Sequence, residues 1–292
     1  MSFLNLLTKI LKGDRYVGKS KRCVSGGDGC ECRDLHSFAS ICKYAVSDIG
    51  GIRMLASACA AERSRDIGTM SSDPIRRESK FLISAAERVG CFMNASAVPG
   101  TRYTIRTGES EVRIVQKEQL YYKIKNPFAK LHLKKHSPEY VLFEHIVHNI
   151  LFPDCRLEFL GVVEEFHEAR FVFKQQAVRA DTRPNDKQIA EYLGRLGLKP
   201  EGRYGFSNDY VVVTDVGQDG DNVLMDDNLH LRFIDPIIGF KQPLLSKLSS
   251  LLTSEETNNL VFDLYGLTPE ERENVKGDAV LNHDNGGDFL RR

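Results

Sequence analysis

The sequence has no net charge, no long apolar run and no paired cysteine motif. Its 40 basic residues are balanced by 40 acidic ones. No global field therefore draws the chain toward nucleic acid or an anionic membrane, and any anionic ligand must be held by a local group of cations. No segment approaches the roughly 18 uninterrupted apolar residues that a membrane helix needs. The opening MSFLNLLTKILKGDR is broken by Lys9 and Lys12 and lacks a small-residue cleavage site. It does not read as a signal peptide, and a cytoplasmic location is the expectation. The seven cysteines are odd in number and scattered without a C-x-x-C pair, which argues against a secreted disulfide framework. Cys23, Cys30, Cys32 and Cys42, with His36, are read as reduced thiols in a loose segment rather than as a zinc site. There is no internal repeat.

What is present is an ordinary globular composition, 41% apolar and 27% charged over 292 residues, enough to bury a core. Residues 1–78 mix short apolar patches with Gly, Ser and Arg without a sustained period, and a poorly ordered segment is expected there. ESKFLISAAERVG then carries apolar residues at helical spacing and stops at Gly90. TRYTIRTG, EVRIVQK and LYYKIKN predict three antiparallel strands. Ser137 followed by Pro138 opens a helix through EYVLFEHIVHNILF, which Pro153 closes. RLEFLGVV and RFVFKQQAV predict a hairpin, and NDKQIAEYLGRLGL another helix. Short helices at PLLSKLSSLL and TPEERENV lead to a polar tail from Lys276. The expected division is a first segment to 78, a sheet-and-helix unit over 79–178, a reduced second unit over 179–275 and a flexible tail over 276–292.

Two constellations carry chemistry. Glu144 lies in the apolar stripe of the helix opened by Pro138, among Val141, Val147 and Leu151. A carboxylate there either sits at the stripe's edge and reaches water, or is met by a cation. Lys123 and Lys125, two apart and so on one face of the third strand, are the candidates, Lys123 being the more enclosed. Further on, DYVVVTDVGQDGDNVLMDDNLHLRFIDP places Asp215 at the end of one strand, Asn222 at the start of a hairpin and Asp235 at its end. Closing the hairpin sets Asn222 nearly opposite Asp235. Their oxygens are hard donors of the kind Mg²⁺ accepts beside substrate phosphates. The same stretch matches part of a calcium-loop pattern, with Asp at positions 1 and 5 and Gly at 6, but its flanks are rich in strand formers rather than helical. A purely structural acidic turn is the remaining alternative.

Lys123, Glu144, Asp215, Asn222 and Asp235 occur in an order and on elements that together resemble the protein-kinase-like fold. More closely, KIKNP, HSPEYVLFEHIVHNILFPD, NDYVVVTDV and NVLMDDNLHLRFIDPI resemble the small kinase-like domains of polyvalent proteins from phages and mobile elements. The resemblance covers about 83–241. It implies an α+β, two-lobed fold, with a small antiparallel-sheet lobe and a reduced helical second lobe. It also implies a kinase using ATP and Mg²⁺ on an acceptor protein or small molecule. Lys123 would hold the α- and β-phosphates with Glu144 fixing it, Asp215 would be the base, and Asn222 and Asp235 would bind the metal. Gly108 would lie in the loop over the phosphates, and Gln175, Gln176 and Ala177 would meet adenine. Several departures accompany the likeness. Val213 and Thr214 replace the His-Arg before the base, and seven residues rather than five separate Asp215 from Asn222, so Asp219 or Asp221 could take the base's place. Asp-Pro-Ile replaces Asp-Phe-Gly, and no segment ends in Ala-Pro-Glu. These departures favour a second reading, a non-catalytic nucleotide- or protein-binding module of the same fold.

Overall fold

The computed structural model describes residues 52, 55–56, 58–59, 74–102, 110–129, 138–180, 182–202, 205–217, 222–241 and 268–269. The architecture is α+β, with antiparallel sheets and few helices. Helix α1 (Pro74–Arg88) buries Phe81, Leu82, Ala85 and Ala86, the face its apolar spacing defines. It ends where Gly90 takes a φ of 75°, and the Cys91 N–H closes back on the Ala86 carbonyl at 2.9 Å.

A five-stranded sheet follows, ordered β1-β2-β3-β5-β4, from β1 (Thr101–Arg102), β2 (Ser110–Val115), β3 (Leu120–Lys125), β4 (Leu157–Glu165) and β5 (Glu168–Gln176). The β4–β5 hairpin turns on Phe166 and His167, both left-handed. Between Phe159 and Gly161 the β4 register shifts, and Gly161 adopts a φ of 150° against the chain leaving α1. Val162 donates to the Cys91 carbonyl and Met93 to the Val162 carbonyl, each at 2.9 Å. A Cβ at Gly161 would collide with that Cys91 carbonyl. Gly161→Ala is therefore expected to destabilise the protein by about 2–4 kcal/mol, measured by urea denaturation.

Helix α2 (Pro138–Leu151) joins this sheet to the rest of the molecule. Its His145 ring lies 4.5 Å from that of Phe173 on β5, while Tyr140 and Phe143 pack on Phe240. Helix α3 (Asp186–Arg195) opens with a capping box between Asn185 and Gln188 and buries Ile189 and Leu193. A four-stranded sheet, ordered β11-β8-β7-β6, is built from β6 (Lys199–Glu201), β7 (Gly205–Ser207), β8 (Val211–Thr214) and β11 (Ile237–Phe240). Strands β9 (Val223–Met225) and β10 (Leu231–Phe233) form a separate hairpin. The β6, β7 and β11 strands have no counterpart in the expectations above.

The main core runs continuously from α1 through α2 to α3 and β11. Ile52, Leu55, Ala56, Ala58 and Cys59, helical residues within the segment expected to be poorly ordered, are buried in it. The Cys23–Cys42 cluster and the helices expected at PLLSKLSSLL and after Pro269 lie outside the described residues.

Candidate active site

Alternation along β3 sends Tyr122 and Ile124 to the outer face, where they pack with Val98, Val163 and Val172. Lys123 and Lys125 point the other way, sharing their face with Phe173 and Phe171, their partners on β5. The Lys123 side chain is only 10% exposed. Its ammonium donates to the Ile234 carbonyl at 2.8 Å and reaches Asp235 Oδ1 at 3.5 Å. Lys125 donates to the same oxygen at 3.1 Å.

Burial lowers the Lys123 pKa, and the neighbouring Asp235 charge opposes that shift. Burial also works to raise the pKa of Asp235, but the two ammoniums outweigh it and hold the carboxyl well below the usual carboxylate range. Asp235 is thus an ionised carboxylate at neutral pH, with a side chain 47% exposed at the mouth of the site.

Helix α2 fixes the chain on both sides of Asp235. His148 Nε2 lies 3.2 Å from the Phe233 carbonyl, two residues before it, and Glu144 Oε1 accepts from the Ile238 N–H at 3.2 Å, three residues after it. Glu144 therefore acts on β11, just after Asp235, because that strand brings a backbone donor to the carboxylate, and Lys123 forms its ion pair with Asp235. Asn149, next to His148, clamps the start of β4: its amide donates to the Leu157 carbonyl at 2.7 Å and its oxygen accepts from the Leu157 N–H at 2.9 Å. Neither His148 nor Asn149 was singled out from the sequence, where the only signal is two adjacent polar residues inside an apolar helical run.

Both buried histidines of α2 are held neutral. Burial, reinforced by the charge of Lys123, pushes His148 down to about 4, and burial likewise lowers His145 well below its ordinary value. On unfolding each binds a proton that the folded state refuses. Stability is thus complete above the ordinary histidine value of 6.5 and is lost as pH falls from 6.5 toward 4. The expected loss is up to about 1.4 kcal/mol per pH unit for each histidine. Urea denaturation at pH 7.5 and pH 5 checks this, and equal midpoints would contradict it.

The second constellation forms at the open end of the β9–β10 hairpin. Ile234 donates to the Asn222 carbonyl at 2.8 Å, which brings Asn222 beside the residue preceding Asp235. The Asn222 amide donates to Asp215 Oδ2 at 2.5 Å and to the Asp215 carbonyl at 3.2 Å, leaving its own oxygen as the open side of the group. Asp215 is exposed and left-handed, with a φ of 61°, at the point where β8 ends. Aspartate tolerates that conformation better than most residues. β8 also pairs antiparallel with β11 in a register that places Thr214 against Ile237, so Asp215, just after β8, and Asp235, just before β11, emerge at one edge. The arrangement brings together a buried ammonium, a second ammonium, an ionised carboxylate, an amide oxygen and an exposed carboxylate. Such a set can hold a polyanion and a hard divalent cation at once.

At the end of β5, glutamine side chains brace the fold. Gln175 is buried and its amide donates to the Cys155 carbonyl at 2.6 Å. The Gln176 amide and the Ala177 N–H both donate to the Gln119 carbonyl, at 2.9 and 2.7 Å. These groups tie β5 to the Pro153–Cys155 turn and to Gln119 in the β2–β3 turn. Gly108, Asp219 and Asp221 lie outside the described residues. The flanks of the calcium-like loop are strands, β8 and β9. Among the described residues, no group of three or more His, Cys, Asp or Glu side chains is arranged as a metal cage. A cavity of about 400 Å³ is lined by Gln176, Ala177 and Val178 together with Asp154, Asp226 and Arg232, and none of the five residues of the two constellations lines it.

Residues 76–242, more than half of the chain, match the model of a family described as a serine/threonine/tyrosine kinase found in polyvalent proteins. The chain belongs to that family. The matched span begins within α1 and ends just after β11, so it contains both constellations and the helix that joins them. No curated protein and no solved structure gives a significant match. No helix among the described residues of this family member is long and apolar enough to cross a membrane.

Proposed function

We propose that this chain is an ATP- and Mg²⁺-dependent kinase that transfers the γ-phosphoryl group to a hydroxyl on a protein or small molecule. The observation that carries the reading is the convergence of Lys123 on Asp235, beside the Asn222–Asp215 pair, in a chain of the polyvalent-protein kinase family.

In this reading Lys123 leaves Asp235 for the phosphates of ATP. Asp235 and the open Asn222 oxygen would hold Mg²⁺, a hard cation that needs few protein ligands beside substrate phosphates. The metal would supply charge neutralisation at the phosphates. Asp215 accepts the proton of the acceptor hydroxyl as its oxygen bonds to the γ-phosphorus. The bond to the β–γ bridging oxygen breaks, and ADP departs with the electron pair. Glu144 and His148 act as positioning residues by holding the backbone around Asp235. Phosphoryl transfer asks mainly for positioning and electrostatic stabilisation, which is what such a set provides.

The test is incubation of the purified chain with ATP labelled at the γ-phosphate and Mg²⁺, alone and with protein and small-molecule acceptors. Transfer of label supports the reading. A second reading, a nucleotide-binding module without turnover, is favoured by the neutralisation of Asp235 by two lysines, and thermal stabilisation by ATP without label transfer would select it.

A further inference from the structure

The reading above uses one lysine of β3, yet two converge on Asp235. Lys123 and Lys125 stand on the inner face of one strand, and both ammoniums lie within 3.5 Å of the same carboxylate oxygen. Their nitrogens are therefore close enough to engage oxygens of neighbouring phosphates of a single chain. Lys125, 29% exposed, sits nearer the opening, while Lys123 lies deeper against the Ile234 carbonyl. The shared carboxylate oxygen holds both ammoniums at one point, a preorganised two-point anion receptor.

Asp235 is also covered as it stands. A divalent cation approaching it alone meets two ammoniums, whose repulsion opposes binding. A polyphosphate draws the ammoniums away and brings its own oxygens to complete the metal's shell.

We propose that Lys125 is a second phosphate-binding residue, that Lys123 and Lys125 together form a linear-polyphosphate site, and that polyphosphate must engage this pair before a divalent cation binds Asp235. The proposal rests on the nucleotide-site reading above and deepens it. It assigns the ligand class at this lysine pair, a chain of at least two adjacent phosphates, and an order of binding.

The test uses inorganic tripolyphosphate and Mn²⁺, so that neither adenine recognition nor turnover enters. Calorimetry without metal measures tripolyphosphate affinity; Mn²⁺ binding is followed by electron paramagnetic resonance with and without tripolyphosphate. Wild type should bind tripolyphosphate without metal and should bind Mn²⁺ at least tenfold more tightly once it is present. Lys125→Met should lose about ten- to a hundredfold in tripolyphosphate affinity, the worth of a hydrogen bond to a charged group. It should gain affinity for Mn²⁺ alone, because Asp235 is partly uncovered, and Lys125→Arg should stay close to wild type. A merely structural Lys125 would not move the two affinities in opposite directions. Unchanged tripolyphosphate affinity in a folded Lys125→Met variant overturns the proposal, as does a wild type that ignores tripolyphosphate. Failure of the kinase reading looks different: tripolyphosphate and Mn²⁺ behave as stated, and ATP yields no labelled product.

Discussion

Asp235→Asn is expected to lower phosphoryl transfer by about a thousandfold or more, with the protein still folded. The substitution keeps the volume and removes only the charge. Asp235 is ionised at neutral pH, two ammoniums holding its carboxyl below the usual carboxylate range, and that charge is what a divalent cation would take from the protein here. An amide offers a neutral oxygen and a far weaker bond to Mg²⁺. The fold should tolerate the exchange. Lys123 retains the Ile234 carbonyl, and the backbone around position 235 remains held by His148 at Phe233 and by Glu144 at Ile238. Initial rates of label transfer, beside circular dichroism melts of both proteins, test this. A fully active Asp235→Asn variant would remove the residue from the metal's ligands.

Lys123→Met should separate activity from stability in the opposite direction. Methionine matches the length of the lysine stem and carries no charge into the interior. Transfer is expected to fall by about a hundred- to a thousandfold, since the ammonium that would neutralise the phosphates is gone. Stability should be unchanged or higher. The Lys123 side chain is almost wholly buried, and methionine removes the cost of burying its ammonium along with the hydrogen bond to the Ile234 carbonyl. Here the partner is 47% exposed and keeps Lys125 as an ion-pair partner. A melting temperature equal to or above that of wild type, with loss of transfer, is the expected pair of results. A large drop in melting temperature would mean that Lys123 is primarily a structural strut between β3 and the Ile234 backbone.

These expectations rest on elements whose legibility in the sequence was uneven. β3, α2 and the β9–β10 hairpin were readable because their signals are local: alternation, a proline at the first helical turn, an acidic turn between two short apolar runs. The residues at their ends followed, and the structure brings Lys123 to Asp235 and Asn222 to Asp215. Partnerships decided by distant backbone were not readable. The Glu144 carboxylate among Val141, Val147 and Leu151 announces a need for a partner without saying which. It finds the N–H of Ile238 because β11 pairs with β8 there, and β11 itself is four residues long with no pattern to mark it. The burial of the Gln175 side chain was equally unreadable, because only the 3-10 turn Pro153–Cys155 puts the Cys155 carbonyl against its amide. His148 and Asn149 read as ordinary members of a helix. Their roles depend on Phe233 and on Leu157, which only the folded chain brings to them.

The central claim is that Asp235 and Lys123 form the metal- and phosphate-binding heart of a nucleotide site. The most direct measurement is calorimetric titration of ATP into wild type and Asp235→Asn, each with and without Mg²⁺. The account predicts that Mg²⁺ strengthens ATP binding to wild type and makes no difference to the variant. The same Mg²⁺ dependence in both proteins, or a wild type that does not bind ATP, would contradict it.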